Sequence, residues 1–152
     1  MSGLLAALEG SGFAAQVRES IVLYPAANVL HVLAVMVFFA GVAAMDLRIL
    51  GLLPGPDPAR VVARLRPLSA AALGVIVASG VLLFLPEATR TAGNPAFLAK
   101  LVAIGVAVIN LAVNDLASRR GTGHAMLVRA TAAVSLALWL VVAALGRLIA
   151  YV

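Results

Sequence analysis

Three long polar side chains sit where an apolar chain least accommodates them: His31, Lys100 and Arg147. His31 lies in "YPAANVLHVLAVMVFFAGVAAMDLRIL", which starts at Tyr24; between Glu19 and Asp46 the chain carries no formal charge. Its imidazole is the one ring in that run that titrates near neutral pH, and neutral imidazole offers a nitrogen lone pair to a proton or a metal. Lys100 stands in a second apolar run, "NPAFLAKLVAIGVAVIN", and Arg147 closes a third, "SLALWLVVAALGRLIAY". Ionisable groups in such runs are functional candidates by default. No nucleophile–base pair, phosphate loop or carboxylate pair accompanies them. Ser135 has no histidine on its own run, and "GTGH" at 121–124 lacks a preceding strand and the full glycine fingerprint. The chain has no cysteine, which excludes disulfides, thiolate zinc sites and iron–sulfur clusters ligated by it.

The elements that must position these residues are membrane helices. The 152 residues are 64% hydrophobic and only 11% charged, where a soluble domain carries about 25% charged residues. The expected fold is all-α: one integral membrane four-helix bundle spanning residues 1–152, with a short N-terminal interfacial segment. A spanning helix needs about 20 mostly apolar residues, and candidates run over about 25–50, 67–85, 94–117 and 129–151. Asp57-Pro58 and Asn94-Pro95 each place a capping residue before a proline suited to the first helical position. The leader "MSGLLAALEGSGFAAQVRES" has no basic head and precedes a run that begins too late for a cleaved signal peptide. Its Leu4, Leu5, Leu8, Phe13 and Val17 are expected to face lipid from one or two short helices; a frayed polar leader is the alternative. Few aromatics and no basic run exclude nucleic acid as a partner.

Arginines set the orientation. Arg48, Arg60, Arg64 and Arg66 flank the first loop and Arg119, Arg120 and Arg129 the third; the second has Arg90, with Lys100 just inside its helix, and the termini Arg18 and Arg147. The expectation is a bacterial inner-membrane protein with loops one and three cytoplasmic and both termini periplasmic. His31 and Lys100 then each lie about six residues, roughly 9 Å, below the outer boundary. Ser79, Gly80 and Arg147 reach the same outer half from the other two spans. Helical spacing puts Tyr24, Asn28, His31, Val35, Phe38 and Met45 near one stripe, and Lys100, Ala103, Ala107, Asn110 and Asn114 on another. Lipid offers polar atoms no partner, so both stripes should face inward. Plainer roles compete: His31 as a structural hydrogen-bonding residue, Lys100 snorkelling to head groups, Arg147 with Tyr151 as interface anchors. Asp46 and Arg48 read as a charge pair or capping cluster, His124 of "RRGTGHAM" as a loop residue, and Trp139 and Phe38 as core.

The three runs, with the first extended to "YPAANVLHVLAVMVFFAGVAAMDLRILGL", resemble an uncharacterised bacterial family of four-span membrane proteins over nearly the whole chain. A more distant similarity is to the HemJ and CopD membrane families. HemJ proteins carry a histidine several residues before a glycine, here His31 and Gly41, and an aromatic residue shortly before a lysine, here Phe97 and Lys100. The resemblance implies haem b, with His31 as the metal ligand and Lys100 as its functional partner. The sequence departs from that pattern where Asn110 stands in place of a later histidine and Phe97 in place of a tryptophan.

A haem pocket is compatible with the residues. Imidazole is a common axial ligand; Asn28 or a backbone carbonyl would accept from its other nitrogen. Gly80, Ala103 and Ala107 would leave room for the macrocycle, and Arg147 or Arg18 would pair with the propionates. Lys100 would ligate iron if neutral, and otherwise pair with a propionate or a substrate. The leading expectation is haem-based electron transfer or porphyrin redox chemistry, exchanging electrons with quinone or a redox partner subunit. The alternatives are an accessory subunit of a larger membrane complex without a redox cofactor, and a small transporter or metal-handling protein. Scarce soft ligands argue against a copper pathway, since only Met36 and Met45 lie in spans.

Overall fold

The computed structural model describes residues 2–120 and 122–151. Two short helices, α1 (Ser2–Glu9) and α2 (Gly12–Glu19), precede the long helices α3 (Leu23–Leu50) and α4 (Pro58–Phe84). A 3₁₀ turn at Leu85–Glu87 and the one-turn helix α5 (Ala88–Ala92) lead into α6 (Pro95–Arg119). A second 3₁₀ turn at Thr122–His124 precedes α7 (Ala125–Leu148). Four helices are long and apolar enough to cross a membrane, and they form a helical bundle without strands among the described residues. Leu33, Met36, Val77, Val102, Ile109 and Leu140 are exposed on its outside, as lipid-facing residues are.

Local chemistry explains the boundaries. The Asp57 carboxylate accepts from Ala59 N at 2.8 Å, and the Asn94 amide oxygen from Ala96 N and Phe97 N at 2.9 and 3.2 Å; each cap is followed by its proline. Gly51 ends α3 in the left-handed region at φ 78°, where glycine carries no steric penalty. Arg48 gathers the next loop by donating to the carbonyls of Leu53, Gly55 and Pro56. The second helix begins at Pro58, not near residue 67. Pro67 lies inside it, and the carbonyl it frees, on Ala63, falls in an exposed, arginine-bearing stretch where solvent satisfies it. The fourth helix runs four residues earlier than the expected start at 129 and ends at Leu148.

α3 packs closely on α4 and α7, and α7 on α6, whereas the α4–α6 seam is loosely packed. At one end of that seam Phe84 stacks on Phe97, centroids 5.5 Å apart; at the other Arg66 reaches Asp115 at 2.6 Å. Lipid-buried helices associate through small residues and interhelical hydrogen bonds rather than through the hydrophobic effect. Ala27, Ala34 and Gly41 recur every seven residues along α3, and Gly41 abuts the Ser69 hydroxyl of α4. Phe38 meets Trp139 edge-to-face at 4.5 Å within a core of Val42, Ala72, Ala107 and Val142. Asn110 donates to Thr131 O, and Asn114 to Val128 O and the Thr131 hydroxyl, so both amides join α6 to α7.

The N-terminal pair straps the end of the bundle that holds both termini. α1 lies on α5 and α2 on the 85–87 turn; Arg18 donates to Pro86 O, and Thr89 N to the Glu9 carboxylate. Leu4, Leu8 and Phe13 are exposed, as an interfacial segment requires, but Val17 is only 2% exposed. It packs into protein rather than facing lipid, because α2 turns that side to the loop.

Candidate functional site

α3 carries His31 into the half of the bundle near the termini, where Nδ1 lies 2.9 Å from the Ser79 hydroxyl of α4. Ser79 is buried, and its O–H is directed back along its own helix to Val75 O at 2.6 Å. With that proton on Val75 O, the oxygen accepts from the ring; in this arrangement Nδ1 carries the proton and Nε2 keeps its lone pair. The backbone carbonyl of Ile76 also lies within hydrogen-bonding reach of the ring. Gly80 permits this pose: a Cβ there would lie 3.4 Å from His31 Cε1.

Lys100 enters the same layer from α6. Its chain lies along Gly146 of α7, where a Cβ would come within 3.2 Å of Nζ and 3.6 Å of Cε. The ammonium is close enough for its charge to act on His31. It has no counterion or hydrogen bond among the described residues. Each of the four long helices thus contributes: the ring from α3, its acceptor from α4, the lysine from α6 and the surface that lysine rests on from α7.

Two expected members stand apart. Asn28 is exposed, and Ser79 takes the role of second partner expected of it. Arg147 is exposed and donates to the Tyr151 hydroxyl at 2.5 Å, its guanidinium 4.8 Å from the ring centroid. Arg18 is committed to Pro86 O and Glu9 O. Gly80 lies against the imidazole, Ala107 is packed in the core, and Gly41 abuts Ser69.

Asp46 is no partner of Arg48. It is buried beside Ser135 of α7. The signal was in the spacing: residues two apart point to opposite sides of a helix. His124 precedes α7 without a side-chain capping hydrogen bond, its Nδ1 sealed and unpartnered among the described residues. No group of three or more metal-ligating side chains occurs among the described residues, so any metal here would bring most of its own ligands. A porphyrin does so. His31 would be the residue to hold its iron, and Lys100 the one to meet its anionic arms.

No curated protein and no solved structure matches the chain. Residues 12–152 match DUF6644, described as a family of unknown function. That match takes in all four long helices and every residue of the His31–Lys100 layer, and the chain belongs to this family.

Proposed function

We propose that this membrane protein holds one haem b through His31 Nε2 in the outer half of the bundle and serves electron transfer or porphyrin redox chemistry. Quinone or a redox subunit is its exchange partner, and the outer half is the periplasmic half of a bacterial inner membrane. One observation carries the reading: Ser79 is placed to accept from Nδ1, which would leave Nε2 for a metal, beside a lysine without a counterion among the described residues. This is how proteins orient metal-binding histidines, the second ring nitrogen donating to a fixed acceptor. The HemJ-like spacings of His31–Gly41 and Phe97–Lys100 support it. Bound haem supplies a one-electron couple. His31 holds and orients it, Lys100 adds positive charge that favours the reduced form, and the helices exclude water. The test is an absorption spectrum of protein purified from haem-replete cells. A Soret band with α and β bands on reduction is expected; colourless protein overturns the reading.

A second reading has its own observation. His31 and Lys100 already fill the Gly80 and Gly146 faces, which suits an accessory subunit whose layer holds a small anionic head group and no redox cofactor. Such protein is colourless, so the same spectrum decides.

A further inference from the structure

Asp46 lies about four helical turns from His31, in the opposite half of the bundle. It is 8% exposed, and its Oδ2 is sealed from solvent with no hydrogen-bond donor. One hydroxyl meets the carboxyl from another helix, and a second lies just over one helical turn along α3. Ser135 of α7 is the polar neighbour of the carboxyl; Ser69 of α4 is 5% exposed, its oxygen also sealed and unpartnered, against Gly41.

An ionised carboxylate removed from water requires a cation or several donors. Four arginines at this end of the bundle have partners elsewhere. Arg48 of α3 serves the carbonyls of its loop, and Arg129 of α7 donates to Leu50 O at 3.0 Å. Arg66 of α4 and Arg119 of α6 both hold Asp115. A divalent ion would leave excess positive charge, and the described residues offer no set of three ligands for one. A proton neutralises the carboxyl without needing space.

We propose that Asp46 is a proton-binding site: a neutral carboxylic acid in the resting protein that exchanges one proton with the side bearing the arginine-rich loops. Release leaves the carboxylate and delivers the proton to water at that face, one helical turn away beyond Leu50. This site rests on packing far from His31 and stands whether or not haem is bound.

The experiment is infrared spectroscopy of the full chain in detergent at neutral pH. Wild-type protein should show the carbonyl stretch of a protonated carboxylic acid, shifted by carboxyl-¹³C aspartate and absent from Asp46→Asn. Raising the pH should remove the band and lower the wild-type melting temperature, with no such fall in Asp46→Asn, where the amide mimics the neutral acid. No band at neutral pH overturns the proposal, as does a band that persists in Asp46→Asn. A band lost when sodium replaces choline also overturns it, since a metal cation is then the ligand. If Asp46→Asn does not fold, the isotope shift and alkaline titration of wild-type protein decide alone.

Discussion

Ser79 determines what His31 can do. Its hydroxyl is held by Val75 O and turns a lone pair to Nδ1, which makes Nε2 the reactive nitrogen. Ser79→Ala should keep the fold but lower haem affinity about 10–100-fold, the usual effect of removing a partner behind a metal ligand. Asn28→Leu should leave affinity unchanged, since Asn28 is exposed and touches neither group. Haem titration followed by absorbance checks both; equal losses in the two variants contradict the assignment. Matched depth made His31, Lys100 and the Ser79-Gly80 pair legible in the sequence, because helix rise is constant. Which neighbour Nδ1 would choose was not legible. Asn28 is one turn away on the same helix, but rotation of α3 against α4 decides the partner, and that follows from packing of Ala34 and Gly41.

Seams between helices are set by small groups and single hydroxyls. A Cβ at Gly41 would strike the Ser69 oxygen, yet lies 3.7 Å from Ser69 Cβ, an ordinary contact. Gly41→Ala should destabilise the bundle by about 1–2 kcal/mol, within the usual range for overpacking. In a Ser69→Ala background it should cost almost nothing, a coupling read by a double-mutant cycle of melting temperatures. Additive losses contradict this contact. The strap over the other end responds to pH. Thr89, through its hydroxyl and then its amide, holds the Glu9 carboxyl below its ordinary range, with Arg18 adding a smaller attraction. A lowered folded value gives a contribution present above the unfolded value and lost as pH falls through the folded one. Hydrogen exchange of α1, corrected for intrinsic rates, should quicken in acid for wild-type protein, whereas Glu9→Gln should already be fast at neutral pH; pH-independent protection of α1 contradicts the strap. Helix starts at Asp57-Pro58 and Asn94-Pro95 were readable because caps are local. The true extent of α4 was less so, because Pro67 in an exposed, arginine-bearing stretch does not break a helix as it would in a dry one.

The molecule as a whole is a bundle with a histidine–lysine layer near its termini and a buried aspartate in its other half. Four crossings place both termini on one side, so cysteines at Leu4 and Leu52, both exposed, should label from opposite faces of a sealed membrane. Labelling from one face contradicts the crossing number. Composition made the bundle legible, since lipid admits few alternatives to closed helices. The looseness of the α4–α6 seam was not, since it depends on how all four helices settle together. The central claim is that the His31 ring itself holds iron. His31→Gly removes the ring and leaves a space of its shape, so the purified variant should lack the Soret band and regain it with added imidazole, which supplies the same nitrogen. A wild-type spectrum in His31→Gly without imidazole would contradict the claim, because the iron would then be held elsewhere.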